Sequence, residues 1–405
     1  MTSPLVRRRH PALLLALGVA LAAPASAAAQ GSLSGQGFGY PTGQLSARAL
    51  GTGGAQAEFD AQSALNPQGV GGWGGAGLFV QYEPEFRSVG TPGGQDRTTT
   101  SRFPLIAGSL PVRERFAAGI SLSTLLDRTF ETRSTRQDTI GTDPVRVPVV
   151  VSERDRSEGA INDIRLGVSF AATPKLRAGI GLHAFTGENR RTLVNTFSPA
   201  AGAADTAEIG AVQQQRVLGY SGNAISGGFE WRPGRSLALA ASGRVGSDLT
   251  TRVGDTTVSK ARVPSRAGVG LRFDGITGAS IAARVDWQGW SAMRGLSDGV
   301  PVRDALEYGL GADVVGPRLG TNAMALRAGV RVRDLPFGVR RPDGADGVDN
   351  LDVREVAFSG GLGFLLAANR AMVDIGVQRA SRSADGAGDL DERAWTLSVG
   401  LRVRP

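Results

Sequence analysis

The sequence has no cysteine, which excludes disulfides and thiolate metal sites. Histidine occurs only at His10 and His183. With cysteine absent, a lone histidine builds no transition-metal centre. Lysine occurs only at Lys175 and Lys260, so the basic charge is almost all arginine, spread along the chain beside acids. There is no polybasic tail and no arginine patch with interleaved aromatics, and nucleic acid is not an expected partner. Beyond residue 29 no run of 18 apolar residues occurs, which excludes helical membrane spans. Long helical stripes are missing too, although a soluble domain of 405 residues would be expected to show them.

The first 29 residues read as an export signal. Arg7, Arg8 and Arg9 form a basic start, Pro11 to Ala23 an apolar stretch, and Ala25-Ser26-Ala27 and Ala27-Ala28-Ala29 overlapping small-residue cleavage sites. The apolar stretch is shorter than the roughly 20 residues that span a bilayer. No cysteine follows it for lipid attachment.

From Trp73 to the end, apolar and polar residues alternate in segment after segment, the mark of strands with one apolar face. Fourteen segments are counted, from 73–88, 101–110 and 116–124 through to 394–404. The last puts Trp395, Leu397, Val399, Leu401 and Val403 on one face, and Thr396, Ser398, Gly400, Arg402 and Arg404 on the other. In the third, Phe116, Ala118, Ile120, Leu122 and Thr124 oppose Ala117, Gly119, Ser121 and Ser123. In the eighth, Val263, Ala267, Val269, Leu271 and Phe273 oppose Arg262, Arg266, Gly268 and Arg272. Short turns, as at 173–175 and 232–234, alternate with longer polar loops at roughly 90–100, 133–159, 187–214, 249–261, 291–303, 335–351 and 381–392. Short turns at one end and long loops at the other are the pattern of an outer-membrane barrel. The expected fold is all-β: a 14-stranded antiparallel transmembrane β-barrel with an N-terminal plug inside the lumen. The divisions are signal peptide 1–29, plug 30–72 and barrel 73–405.

Charges on the non-lipid face include Arg165, Arg177, Arg244, Arg266, Arg272, Arg327 and Arg331, with Asp163, Asp286, Glu355 and Asp374 as possible partners. An arginine at mid-depth on the lipid face costs about 2–4 kcal/mol, so these belong in the lumen. They read either as a ladder of charge holding the plug to the wall or as an anion site, since guanidinium forks match carboxylates. His183 lies on a lumen-facing row, but no serine in a nucleophile-elbow context accompanies it, and no enzyme is expected. Asp343, Asp346, Asp349 and Asp352 share one long loop; their spacing is not that of an EF-hand. They read as a solvated acidic loop, and no metal or other cofactor is expected.

Residues 45–69 follow neither period. Gly51, Gly53 and Gly54 permit tight backbone, and Pro67 forces Asn66 out of helical geometry. The stretch Ala47-Arg48-Ala49-Leu50-Gly51-Thr52-Gly53-Gly54-Ala55, then Asp60, then Asn66-Pro67 resembles the plug of the long-chain fatty acid and aromatic hydrocarbon transporter superfamily, most closely its PorV/PorQ-type branch. The resemblance implies a 14-strand barrel with an N-terminal hatch in the outer membrane of a Gram-negative-type bacterium. It implies passive uptake of hydrophobic small molecules such as long-chain fatty acids. In the named branch the barrel would instead serve as a shuttle or structural part of a secretion or attachment system, with secretion-system proteins as partners. Outer-membrane lipid, lipopolysaccharide and the barrel assembly machinery are the remaining expected partners. Phe38, Tyr40 and Phe59 are the candidate gate residues. The glycines of 69–77 read as the weak first strand of the wall and a place for a lateral gap, or as small residues that let the wall approach the plug.

Overall fold

The computed structural model describes residues 38–91, 94–142, 145–199, 210–297, 301–318, 320, 322–340, 350–367, 370–384 and 391–405. Residues 1–29, read above as an export signal, and Asp343, Asp346 and Asp349 lie outside the described residues.

Fourteen antiparallel strands form a closed barrel. They are β1 (Gly77–Thr91), β2 (Gly94–Arg113), β3 (Phe116–Asp127, continued by Phe130–Thr142), β4 (Val145–Thr173), β5 (Leu176–Pro199), β6 (Ala211–Trp231) and β7 (Leu237–Val253). The circuit continues with β8 (Thr256–Arg262, continued by Arg266–Ile276), β9 (Ala279–Gln288), β10 (Ala305–Val315), β11 (Met324–Arg340), β12 (Asn350–Leu366), β13 (Ala371–Ala384) and β14 (Asp391–Val403). Both halves of β3 pair with β4, and both halves of β8 pair with β7, so each interrupted segment counts as one strand. β14 pairs with β1 from Val403↔Leu78 to Asp391↔Gly90, which closes the sheet into a barrel.

All fourteen expected strands are present, and the alternation of the last is as read: in β14, Trp395 and Leu401 are exposed while Thr396, Ser398 and Gly400 are buried. The outer face is apolar, with Leu78 71% and Ile180 69% exposed. Two aromatic girdles bound it. At the short-turn end Phe116 stacks on Phe170 at 4.7 Å, joined by exposed Trp231 and Phe273. At the other end Tyr82 meets Phe103 at 5.2 Å, with Phe86, Trp287, Tyr308 and Trp395 exposed nearby.

Three expectations need correction. Most of the long polar loops are strand: β4 to β6 continue past the girdle as a ribbon, for example Val149↔Pro199 and Thr196↔Ala211. The outward face of that ribbon is polar, with Ser152, Arg156 and Glu158 exposed, so the apolar face that marks a strand is lost there. Alternation also slips inside two strands. Thr124 is buried because the register shifts between Thr124 and Leu126. Val263 is buried and Arg262 exposed because Val263-Pro264-Ser265 interrupts β8 and resets its parity. Finally, residues 69–76 are not wall. Pro67–Trp73 is a 3-10 turn among the plug residues, and β1 begins at Gly77 with partners on both sides.

The segment 38–76 lies within the barrel. Helix α1 (Ala47–Gly51) is capped by Ser46, whose hydroxyl accepts from the Ala49 amide at 3.1 Å. Asp60 ties the segment to itself by accepting from the Ser46 hydroxyl at 2.5 Å and the Ser63 hydroxyl at 2.7 Å. The Asn66 amide donates to the carbonyls of Ala57 and Glu58.

The abundance of glycine has its reason at the contact between segment and wall. At Gly53, with φ +62°, a β-carbon would stand 2.7 Å from the Val330 backbone. On the wall side, a β-carbon at Gly329 would stand 2.2 Å from the Thr52 carbonyl carbon, one at Gly311 2.2 Å from the Thr52 carbonyl oxygen, and one at Gly309 2.7 Å from that of Gly53. Backbone touches backbone here, and no side chain fits between.

Candidate functional site

The lumen is built in two zones. Toward the ribbons lies an apolar cluster in which Phe38, Leu126, Ile161, Phe185, Leu249 and Val263 are buried together. Its lid comes from the connection after β9. Trp290–Leu296 forms a 3-10 turn and turns Trp290, Met293 and Leu296 inward at a spacing of three, the period of that helix. Trp290 meets Phe38 edge-on at 6.2 Å. Beside this lid opens a cavity of about 400 Å³, within the usual size range of ligand sites. Leu193, Leu218, Val253, Val258 and Leu296 give it apolar walls, with Arg128, Arg191 and Arg216 at its margin.

Below the cluster the lumen is ionic. Tyr40 stands at the boundary. The guanidiniums of Arg382, Arg333, Arg87 and Arg102 lie 4.4, 4.9, 5.3 and 5.8 Å from its ring centre. Its hydroxyl donates to Glu355 at 2.8 Å and accepts from Arg382 at 2.7 Å and from Arg333. Burial pushes its pKa up to about 12, more than the neighbouring arginines pull it down, and the phenol stays neutral. Glu355 also pairs with Arg331 at 3.2 Å, Arg333 at 2.8 Å and Arg382 at 2.7 Å. Arg382 continues to Glu85 at 3.0 Å and to Glu392, while Arg102 joins Glu83, Glu85 and Asp127.

Deeper charges tie the plug to the wall. Glu58 accepts from Arg266 and from Ser242 at 2.6 Å. Gln44 donates to Ser123 at 2.6 Å and Asp163 at 3.1 Å. Arg165 donates to the Ala64 carbonyl at 3.0 Å, and Arg48 pairs with Asp313 at 3.0 Å. Between the zones a void bordered by Leu125, Gln288 and Trp290 is about 10 Å³, room for one water at most.

All seven arginines named from the sequence lie on the lumen side. Arg244, Arg266, Arg327 and Arg331 pair with Asp163, Asp286, Asp374 and Glu355, all wall strand to wall strand. Arg177 pairs with Glu230 and Arg272 with Asp274. The motif residues Gly51, Gly53, Gly54, Asp60, Asn66 and Pro67 shape the plug and touch the wall or each other. Phe38 and Tyr40 come together in the apolar cluster. Phe59 does not join them: it lies under Arg272 at 4.7 Å, against Gly270, toward the short-turn end. It sits there because the backbone turns away after Gly53 and Gly54.

Glu58, Glu83, Glu85, Arg87, Arg102, Arg382 and Glu392 were missed. In β1 they were legible, since Gln81, Glu83, Glu85 and Arg87 occupy every second position. Arg382 lay beyond the expected end of its strand. His183 does have a serine partner. Its Nε2 is 2.8 Å from Ser226 Oγ and its Nδ1 2.8 Å from Asp163. The serine stands mid-strand, and Asp163 also holds Gln44 and Arg244, so the trio belongs to the plug-to-wall lattice. Ser226→Ala is expected to lower the stability of the folded barrel by about 1 kcal/mol, the net contribution of one hydrogen bond, read as a small fall in the urea midpoint in detergent micelles. A fall of several kcal/mol would mean that the hydroxyl holds the whole lattice together.

A closed, lipid-facing barrel with its N-terminal segment packed in the lumen defines a plugged transmembrane barrel of the outer-membrane type. Among solved structures its fold is similar to three such proteins. A Pseudomonas aeruginosa FadL homologue shares 13% identity over 90% of this chain and 99% of that one, with a TM-score of 0.55. The Ralstonia pickettii toluene transporter TbuX shares 11% over 89% and 98%, at 0.53. The CymD monoaromatic hydrocarbon channel shares 14% over 89% and 97%, at 0.52. At these identities the likeness is one of fold. No family model and no curated protein matches the sequence.

Proposed function

We propose that the protein is an outer-membrane channel for hydrophobic molecules, with long-chain carboxylates such as fatty acids as its cargo. The observation that carries this reading is the apolar cluster capped by Trp290–Leu296 beside a cavity of about 400 Å³. The cavity walls suit an acyl chain, and Arg128 and Arg216 at the margin suit a carboxylate. Cargo would enter from the ribbon side and reach Phe38 when the lid lifts. The fold neighbours named as hydrocarbon and toluene channels support a hydrophobic cargo.

The test is uptake of a labelled long-chain fatty acid by cells whose only such channel is this protein. Trp290→Ala with Leu296→Ala is expected to lower the initial rate by about tenfold, the effect of losing roughly 1.4 kcal/mol of apolar contact. Arg216→Gln is expected to slow the carboxylate and spare a neutral hydrocarbon. Unchanged uptake in the double variant would sink the site.

A second reading, a shuttle that carries a secreted protein, is favoured by one feature. In the described residues 211–218, β6 is paired only with β5, which leaves a strand edge beside the cavity. Stoichiometric co-purification of a secreted protein without lipidic ligand would favour it.

A further inference from the structure

On the ribbons some arginines have acid partners, as Arg133 with Glu131 at 3.0 Å, Arg191 with Asp155 at 2.7 Å, Arg354 with Asp334 at 3.3 Å and Arg393 with Asp391 at 3.1 Å, while the exposed Arg190, Arg216, Arg252 and Arg262 stand at that end without an ion pair among the described residues. At the short-turn end, exposed cations stand on five of the six turns: Arg113 and Arg115, Lys175, Arg235, Arg318 and Arg370. None of these six has a carboxylate within salt-bridge distance among the described residues. Lys175 reaches only the Pro233 carbonyl, at 3.3 Å. The acids there are few. Asp274 and Glu230 are held by Arg272, Arg177 and Arg232, which leaves Glu114 as the one exposed acid without an ion pair on the described rim.

The depth of these cations is fixed by their neighbours. Arg115 precedes Phe116 of the girdle, and Arg232 and Arg235 follow Trp231. Exposed Val112 and Val315 lie beside Arg113 and Arg318. Aromatic girdles sit at the boundary between hydrocarbon and headgroup, so side chains one to four residues beyond them reach the phosphates. The cations also circle the whole rim instead of gathering on one flank. A folded protein partner would meet one arc; a lipid annulus meets all of it.

We propose that the short-turn rim is a collar that binds the anionic phospholipid headgroups of the leaflet it faces. Each cation near an anionic surface contributes attraction that salt screens. The collar fixes the height of the barrel in the membrane from one side, while the girdles set it from the apolar side. This inference rests on the barrel spanning a membrane and not on the identity of its cargo.

The test uses the full chain in nanodiscs of equal phosphatidylcholine and phosphatidylglycerol, with lipids that stay bound counted by native mass spectrometry. Wild type is expected to retain phosphatidylglycerol over phosphatidylcholine by at least about fivefold, what a single surface cation supplies. The preference should vanish in about 1 M salt, where the Debye length is about 3 Å. A variant with all six cations changed to Gln should lose the preference, and one with the five arginines changed to Lys should keep it. The salt series needs only wild type, so it decides the matter even if the Gln variant fails to fold. Equal retention of both lipids by wild type overturns the proposal, as does a preference that survives in the Gln variant. Capture of an acidic protein at the rim without any lipid preference overturns it too. Loss of fatty-acid uptake elsewhere in the barrel leaves this result unaffected.

Discussion

Replacing Glu355 with alanine is expected to cost the barrel about 3–5 kcal/mol, the usual penalty for leaving a buried charge uncompensated. Glu355 is fully buried and holds Arg331, Arg333 and Arg382 together with the Tyr40 hydroxyl. Without it the guanidiniums of Arg331, Arg333 and Arg382, on the two strands that flank its own, lose the carboxylate they share. The effect is read as a lower urea midpoint for unfolding in detergent micelles, and as loss of the compact band on unheated gels. Glu355→Gln keeps the acceptor oxygen and should cost less. An unchanged midpoint for Glu355→Ala would mean that water enters this zone freely, contrary to the burial seen.

The second large effect comes from a residue with no side chain. Gly329→Val is expected to push the plug from its seat, at a cost of roughly 1–3 kcal/mol or more for overpacking. The new β-carbon would stand 2.2 Å from the Thr52 carbonyl carbon, and backbone on both sides cannot yield as a side chain could. Valine itself suits a strand, so the wall should still form. In planar bilayers the variant should conduct ions steadily where wild type is sealed. Gly227→Val is the control, because a β-carbon there meets nothing closer than 3.9 Å. A sealed Gly329→Val barrel would show that the plug contacts are slack.

Much of this architecture was legible in the sequence, and the misses have physical causes. Strand alternation is written strongly where one face meets lipid and the other a polar lumen, which is why all fourteen strands could be read. It fades beyond the girdle, where the outward positions no longer meet lipid and are polar, so Val145–Gly159 and Arg190–Pro199 looked like loop. The lumen arginines were visible as charges at positions forbidden to lipid. Their acids in β1 were equally visible by parity, yet only a structure could bring Glu85 to Arg382. The lid was hidden because Trp290, Met293 and Leu296 follow a period of three, which matches neither strand nor α-helix. Phe59 could not be separated from Phe38 by sequence, since that depends on the fold of the glycine turn between them.

The ion lattice around Tyr40 also bears on how the barrel is closed. Arg382 on β13 reaches Glu392 on β14 and Glu85 on β1, so one side chain staples the seam where the last strand meets the first. The same guanidinium bonds to Tyr40. An open sheet would hold these groups half-paired while lipid stood nearby. Circularisation and internal filling therefore support one another: the N-terminal segment supplies part of the seam that residues 391–403 make with residues 78–90. A chain lacking residues 38–45 is expected to hold that seam less firmly, read as a lower urea midpoint in detergent micelles.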